Sequence, residues 1–311
     1  EVTAVKLTSV SEGVPRLYDD RGWTLFESML IDGKAPSSQI FRGGCSCGDL
    51  NVLTVGDDFR GHQYLNTAVL GNVDCYSQGL RSPPCSPQRF QQKMSERKAY
   101  AESKGVSLFT SGSDQLFLLK KYAEAFEEQA RATEYDFTGM LWGAVEMEIL
   151  AEVLTFCKKL KRLLLGGNEI GDLGADKLAV ALLHMTSLQT LHLFSNKIGD
   201  VGADKLAAAL PGMTSLQTLN LGNNRIGDFG ADKLAAALPG MTSLQELCLD
   251  SNRIGDIGAD KLIAALPGMT SLKKLDLCDN QIGGLGAEHF ISSAIKLATL
   301  GQINWLQPCQ A

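Results

Sequence analysis

The sequence predicts an α/β fold: a solenoid of strand–loop–helix units, preceded by a smaller, irregular α+β domain. Three observations lead to this prediction. Asparagines recur with a 28-residue period in the second half of the chain, and the residues around them first alternate as in a strand and then follow helical spacing. The stretch 1–133 carries no such repeat. A fixed period of this size is typical of repeat architectures, in which each unit is stable only when stacked on its neighbours.

Each repeat reads LxxLxLxxNxIGDxGADKLAxALPGMTS or a near copy, as in residues 188–215. The LxxLxL half predicts a short strand, and the Leu and Ala residues that follow at helical spacing predict a helix. We expect Asp200, Asp228 and Asp256 to be the N-caps of these helices, and the Pro-Gly pair beginning at Pro211 to end the first of them.

The invariant residues of the repeat are interpreted as stabilising the fold, without a role in binding. Leu at the first, fourth and sixth strand positions fills the core, and the glycines permit a tight bend. We expect the asparagine side chain to turn inward and to hydrogen-bond loop backbone groups of its own and neighbouring units. These asparagines form a predicted ladder: Asn168, Asn196, Asn224, Asn252 and Asn280.

The repeat resembles the leucine-rich repeat, specifically the 28-residue type of ribonuclease inhibitors and Ran GTPase-activating proteins. The resemblance implies a right-handed solenoid with parallel strands on a concave face, helices on a convex face, and function through protein contact. A Ran GTPase-activating function would need an Arg or Asn on the loop rim, and Arg162 alone does not supply it.

The 28-residue register predicts where the solenoid begins and ends. Extended towards the N-terminus, the register places Tyr135, Phe137 and Trp142 at positions that are Leu or Ile in the middle repeats, and extended towards the C-terminus it places Trp305 at such a position. These substitutions indicate divergent terminal units. The predicted organisation is an N-terminal module over 1–133, a solenoid over 134–307 and a tail over 308–311. Within the solenoid we expect a degenerate starting repeat over 134–159, five full repeats over 160–299 and a closing strand over 300–307.

The third, fifth and seventh positions of LxxLxLxxN point out of the concave face, and they change from repeat to repeat. This face begins apolar around Leu164 and Phe194, which we expect to be exposed, and ends acidic around Glu246. Apolar side chains on adjacent strands are a candidate anchor for a protein partner. A surface patch without a partner, or contact with the N-terminal module, remains an alternative. The predicted partner-binding residues are Arg162, Leu164, His192, Phe194, Asn220, Glu246, Asp250 and Asp276.

The N-terminal module is predicted to contain strands over 4–10 and 50–55 and helices over 17–30, 87–103 and 115–132. Three segments carry a resemblance: Tyr18 to Glu27 around RGWxxFE, the proline-rich stretch from Arg81 to Phe90, and Phe109 to Asp114. They resemble an N-terminal module that accompanies leucine-rich repeats in uncharacterised proteins of algae and protists. That resemblance implies no established activity.

One enzymatic alternative concerns Glu27. The spacing Trp23-x-x-x-Glu27 after a predicted strand is similar to the WxxxE helix of Toll/interleukin-receptor-like NAD hydrolases, which implies a catalytic Glu27. The loops that form the nucleotide pocket in that family are absent from this sequence. A Trp packed on the core, with the Glu paired to Arg21, explains the same pattern.

The N-terminal cysteines leave three alternatives open. Cys45, Cys47, Cys75 and Cys85 could hold a metal, form a disulfide or remain thiols. Their spacing is not that of a zinc site, and His62 is the nearby histidine, so we predict no metal.

Charge and hydropathy limit the classes of partner. A net charge of −6 and a pI near 5.3 argue against nucleic acid, and no apolar run approaches the roughly 20 residues of a membrane-spanning helix. The chain begins at Glu1 with neither Met nor a signal peptide, so we expect a processed or truncated N-terminus. We therefore expect a non-enzymatic interaction protein or subunit of a complex, without cofactor, and intracellular. A plastid or mitochondrial location is open.

Overall fold

The computed structural model describes residues 4–7, 52–55, 82–105, 107–108 and 114–284, together with positions 286, 288 and 292. The helix predicted over 17–30, the closing strand over 300–307, Glu27 and the first three N-terminal cysteines lie outside the described residues. The chain divides into two compact units, Glu1–Ala130 and Arg131–Ala311.

The first unit contains two strands and two helices among its described residues. Strand β1, Ala4–Leu7, pairs in parallel with strand β2, Val52–Val55, and both lie within predicted strands. Helix α1, Pro87–Ser103, and helix α2, Asp114–Gln129, lie where helices were predicted. The α1 helix begins with the favoured combination of Ser86 as N-cap and proline in the first turn.

Aromatic packing joins the two helices of this unit. The rings of Phe90 and Tyr122 stack with centroids 4.0 Å apart, and both side chains are buried. The Tyr122 hydroxyl donates a hydrogen bond of 2.9 Å to the backbone oxygen of Cys85. The buried phenol is therefore satisfied, as buried polar groups usually are.

The second unit is a solenoid, which confirms the predicted fold class. Six parallel strands form one sheet in sequence order, so each strand pairs with the strand one repeat away. Each strand and the loop and helix after it are called a coil, numbered one to six from β3. The strands are β3 Glu134–Asp136, β4 Arg162–Leu164, β5 Thr190–His192, β6 Thr218–Asn220, β7 Glu246–Cys248 and β8 Lys274–Asp276. The helices between them are α3 Ala144–Leu154, α4 Gly171–Leu182, α5 Asp200–Ala209, α6 Asp228–Ala237 and α7 Asp256–Ala265.

The core lies between the sheet and the helices and consists of columns of equivalent residues. Strand centres are in register, so Tyr135 pairs with Leu163, and Leu163 with Leu191, at 0 to 3% exposure. The aromatic starting coil continues the same column, since Phe137 and Trp142 are also buried and their rings lie 4.7 Å apart. Each of α5 to α7 ends before a one-turn 3₁₀ helix that contains the proline, because proline cannot continue the α-helical hydrogen bonding.

The inward asparagines join consecutive coils. The Asn224 amide nitrogen donates to Leu221 and Gly222 in its own coil and to Leu193 in the coil before, all through backbone oxygens at 2.9 to 3.1 Å. Its amide oxygen accepts from the backbone N–H groups of Asn196 and Ile198 at 3.0 Å. One side chain thus satisfies five backbone groups in two coils.

The Asn196 side chain departs from this pattern. Its amide oxygen is buried and has no hydrogen-bond partner among the described residues. The equivalent donor would be the N–H of Ile170, but helix α4 begins one residue early and places Ile170 in helical conformation as its N-cap. Gly171 takes up the change with a φ of +59°, a conformation that glycine adopts without steric cost.

The predicted N-caps are wrong. Asp200, Asp228 and Asp256 are the first helical residues, and the glycine before each of them is the N-cap. Each carboxylate instead caps the helix of the following coil. Oδ1 of Asp200 accepts from the N–H groups of Gly227 and Gly230 at 2.7 and 2.9 Å. The sequence pattern could not show this because coils two to five all carry the same aspartate.

The interpretation of the glycines also needs correction. Gly199, Gly227 and Gly255 have φ values between −93° and −101°, which any residue adopts. What these positions require is space. A Cβ at Gly227 would lie 3.3 Å from Oδ2 of Asp200, and one at Gly230 would lie 2.8 Å from Oδ1. The glycines let the carboxylate of the preceding coil reach the backbone.

Candidate protein-binding face

The concave face consists of three rows of side chains that run across the strands, because the strands are in register. The first two rows come from the two ends of each strand and the third from the residue two positions after the strand. The first row is Glu134, Arg162, Thr190, Thr218, Glu246 and Lys274; the second is Asp136, Leu164, His192, Asn220, Cys248 and Asp276; the third includes Gly166, Phe194, Gly222, Asp250 and Cys278.

Phe194 lies flat over the neighbouring coil. A Cβ placed on Gly166 would overlap the Phe194 ring, so the ring occupies the space that the missing side chain leaves. Phe194 and Leu164 are both half-buried, so the exposure expected from the sequence is partial. His192 meets the Phe194 ring edge-on, with centroids 6.4 Å apart. Together these three side chains form an apolar and aromatic surface, called the aromatic patch.

Charge at the edge of the aromatic patch is partly compensated. Arg162 lies beside Glu134 of the first coil, with Nε 3.6 Å from Oε2. Burial and then the Arg162 guanidinium lower the pKa of His192. The imidazole is therefore neutral at neutral pH, and it can pack on an aromatic ring and also exchange a hydrogen bond with a partner.

The opposite end of the face is acidic. The Asp250 carboxylate fills the space beside Gly222, where an added Cβ would lie 2.6 Å from its Oδ1. Burial and then the Asp276 carboxylate raise the pKa of Asp250. Lys274 offers partial compensation, with Nζ 4.0 Å from Oδ2 of Asp276. Because the neighbouring like charge disfavours ionisation of Asp250, the approach of an external cation would be favourable here.

Cys248 lies in the middle row between these ends. Burial raises the pKa of its thiol. The thiol is therefore protonated at neutral pH, and a protonated thiol is a weak nucleophile. The arrangement suits surface contact better than covalent chemistry.

The structure places all eight sequence-predicted binding residues on the concave face, on or directly after β4 to β8. It adds Glu134 and Asp136 of β3, which the sequence analysis assigned only to a degenerate starting repeat. They stand one repeat before Arg162 and Leu164, so the register alone would have found both. Among the described residues of the three rows, five carboxylates, at Glu134, Asp136, Glu246, Asp250 and Asp276, stand against the two cations Arg162 and Lys274.

Of the four N-terminal cysteines, Cys85 lies among the described residues. Cys85 is buried, and its thiol donates to the Ser86 backbone oxygen at 3.3 Å. Among the described residues, no group of three or more His, Cys, Asp or Glu side chains is arranged to hold a metal ion. No described helix combines the length and the apolar character that crossing a bilayer requires.

Comparison with known proteins identifies the repeats. A family model described as "Leucine Rich repeats (2 copies)" matches residues 186–236 and 214–263, and one described as "Leucine Rich repeat" matches 156–179 and 268–290. No curated protein matches the chain. Among solved structures, "Leiomodin-1 Actin-Binding Site 2 (ABS2)" is similar at 16% identity and a TM-score of 0.34, over 58% of this chain and 92% of that one. A likeness at this TM-score says nothing about function.

Proposed function

From the leucine-rich repeats that build the second half of the chain, we propose a non-enzymatic protein that binds another protein on its concave face. Leucine-rich repeats generally mediate protein–protein interaction, and solenoids present extended concave surfaces for it. We further propose that these repeats are of the 28-residue ribonuclease-inhibitor-like type. The N-terminal module would supply a second contact.

The aromatic patch is the observation that carries this proposal. Interfaces draw most of their binding energy from a few central aromatic, aliphatic and Arg side chains that exclude water. Phe194 is held against Gly166 before any partner arrives, so little conformational entropy is lost when it is covered. Leu164 and Arg162 stand on the neighbouring strand β4, in the second and first rows of the face.

The acidic end defines the chemistry of the partner. With carboxylates outnumbering cations on the face, a partner that presents Lys or Arg side chains near Asp250 and Asp276 would be attracted to this end. A partner with an apolar protrusion for the aromatic patch and a basic segment for the acidic end fits the whole face.

Site-specific photocrosslinking tests this proposal. A photoreactive residue in place of Thr218, at the centre of the face, should capture one protein in native lysate. The same residue in place of Thr214, exposed in the turn after the 3₁₀ helix of coil three, should not capture that protein. Leu164→Ser and Asp276→Asn should each weaken the captured complex while thermal unfolding changes little, because both side chains are partly solvent-exposed. Equal capture from both positions, or unchanged affinity in both variants, would contradict binding on this face.

We also propose that the protein is a stoichiometric subunit of a larger assembly inside the cell, with a location in an organelle left open. Gel filtration of native lysate with detection of this chain should place it far above its monomer mass of 33.4 kDa. Elution as a lone monomer would contradict a permanent assembly. Fractionation of organelles in the same lysate would test the location.

A regulatory or NAD-hydrolase-like first unit is the second candidate function. The parallel pairing of β1 with β2 favours it, because parallel strands need a crossover that is usually helical, as in α/β nucleotide-binding domains. Glu27 lies between these strands in sequence. Purified protein should then release nicotinamide from NAD, and Glu27→Ala should abolish the release. Absence of release by the wild-type chain would remove this candidate.

A further inference from the structure

A row of exposed apolar side chains crosses the helices of the solenoid, away from the concave face. Its members occupy one repeat position, the residue directly after the position of the capping aspartate. Their side chains are exposed to between 55% and 74%. This row, called the apolar ridge, consists of Val145, Leu173, Val201, Phe229 and Ile257.

The ridge position varies in identity but stays apolar. The repeats around Val201, Phe229 and Ile257 are near copies of each other, with DKLAAALPG or DKLIAALPG following. Duplication of the repeat alone would have kept the same residue at this position, whereas the five coils carry Val, Leu, Val, Phe and Ile. Exposed helix positions usually carry polar residues, and a regular row of large apolar side chains is unusual on a free surface. No core contact explains it, since these side chains point outward.

A cation precedes the ridge residue by four positions in the loops before α5, α6 and α7. Lys197 is paired with Glu169 at 2.7 Å. Within the described part of the chain, the equivalent side chains of Arg225 and Arg253 have no ion pair, and both are exposed. Lys233 adds a further cation near the centre, with Nζ 5.0 Å from the centroid of the Phe229 ring. Among the described residues, cations without an ion pair are thus found in the loops that precede the middle of the ridge.

The helix side of the ridge is balanced in charge. Lysines of the repeated Asp-Lys pair reach the acidic residue of the preceding coil, as from Lys205 to Asp176 at 3.6 Å and from Lys261 to Asp232 at 3.7 Å. These exposed pairs contribute little stability. Because these pairs leave no excess of positive charge on the helix side, the ridge does not present the broad basic surface that favours an anionic bilayer. The apolar residues also form a single file, which suits a rod-shaped partner.

The spacing expected between packed helices is close to the rise of seven residues in an α-helix. Packed neighbouring helices lie about 8–10 Å apart, so equivalent residues on successive coils are separated by a similar distance. Seven residues of an α-helix advance about 10.5 Å. A helix that presents an apolar side chain at every seventh position can therefore place one against each coil.

We propose that the apolar ridge binds an amphipathic α-helix of a partner protein, with heptad-spaced apolar residues and an acidic flank that meets Arg225 and Arg253. The apolar side chains of the partner cover Val201, Phe229 and Ile257. Its carboxylates pair with the two arginines on the loop side. This site uses no residue of the concave face, so its test is independent of the proposed function.

A peptide of defined design tests the site. The probe is a fluorescein-labelled helical peptide of about 22 residues, which spans four coils, with Leu at every seventh position and Glu on one flank. Its anisotropy should rise on titration with the full chain. Phe229→Ser and Ile257→Ser should each weaken binding by at least about tenfold. Val180→Ser, which removes another exposed apolar side chain outside the ridge, should leave it unchanged.

Three further measurements decide the proposal. The same peptide with Lys in place of Glu should bind at least about tenfold more weakly, because it would face the arginines with like charge. Phe194→Ala, on the concave face, should leave peptide binding intact. Failure of the Glu peptide to bind, equal binding of both peptides, or loss of binding only with Phe194→Ala would each overturn the proposal. Sedimentation of the protein with phosphatidylserine vesicles, lost in Phe229→Ser while the Glu peptide fails to bind, would assign the ridge to membranes instead.

Discussion

Oδ1 of Asp200 lies 2.7 Å from the backbone nitrogen of Gly227, one coil further along the chain. The same relationship recurs from Asp172 to Gly199, from Asp228 to Gly255 and from Asp256 to Gly283. Coils two to five therefore each place a carboxylate at the helix N-terminus of the following coil, where a negative charge is stabilising. Coil-to-coil contact thus includes a directional hydrogen bond in addition to the apolar core.

Loss of one carboxylate should destabilise the solenoid. Asp200→Ala removes the acceptor for two helix N–H groups and should lower the free energy of unfolding by about 1–2 kcal/mol, as for other N-cap losses. Asp204→Ala, on the outer face of the same helix, should change it by less than about 0.5 kcal/mol. Urea denaturation followed by circular dichroism measures both. An equal effect of the two variants would show that the cap contributes nothing.

The glycine opposite the carboxylate should not tolerate alanine. Within a helix, Gly→Ala normally stabilises by about 1 kcal/mol. At Gly230 the new Cβ would lie 2.8 Å from Oδ1 of Asp200 and 2.9 Å from Cγ2 of Ile226. We expect Gly230→Ala to lower the thermal midpoint. The decrease should be smaller in an Asp200→Ala background, because the carboxylate that the new Cβ would overlap is absent there. Full additivity of the two substitutions would contradict the steric account.

The asparagines should differ in their contribution to stability. Asn224→Ala leaves three backbone groups without a described partner, the Leu193 oxygen and the N–H groups of Asn196 and Ile198. The other two acceptors, Leu221 and Gly222, also accept from Asn252 and Ser195. Asn196 provides two bonds, to Leu165 and Phe194, whose oxygens keep other donors, and its amide oxygen has no acceptor role among described residues. Each buried polar group left unsatisfied costs about 1–3 kcal/mol. Asn224→Ala should therefore cost at least about 1 kcal/mol more than Asn196→Ala in chemical denaturation. The reverse order would be incompatible with the described hydrogen bonds.

The acidic end of the concave face predicts a pH-dependent effect. Because burial and Asp276 raise the pKa of Asp250 above its usual 3.8, ionisation of this carboxylate disfavours the folded state as pH rises through its folded pKa. Asp250→Asn should therefore raise the thermal midpoint at pH 7, and the gain should vanish near pH 3, where both states are protonated. Asp204→Asn serves as the control on the outer helix face. A gain from Asp250→Asn that is the same at both pH values would refute the electrostatic cause.

Sequence periodicity was sufficient for the fold because strand and helix are local properties that recur in every repeat. The leucine columns and the buried aromatics of the starting coil follow from that register alone. The sequence could not predict which helix N-terminus the Asp200 carboxylate caps. Each of helices α5 to α7 is preceded by the same residues, Ile-Gly, so the helix of its own coil and that of the next coil are equivalent candidates. Only the three-dimensional stacking distinguishes the two.

The surface was predicted less completely, for reasons that depend on neighbouring coils. Phe194 is half-buried because Gly166 on the preceding coil leaves space for its ring, and a single repeat does not contain that information. Ile170 takes a helical conformation in coil two although the local sequence NEIGD differs little from NKIGD; the structure gives no physical cause for this difference. The apolar ridge was visible as the variable letter in IGDxGADKL, but its exposure depends on the outward direction of that helix position.

The capping of each helix by an aspartate of the preceding coil also limits how the number of repeats can change. Duplication or deletion of a whole 28-residue unit leaves every aspartate facing a glycine, whichever unit is involved. An insertion of any other size separates one donor–acceptor pair and shifts the leucines out of register. Gene segments of this length can therefore be gained or lost in evolution without the compensating substitutions that a non-repetitive core would demand.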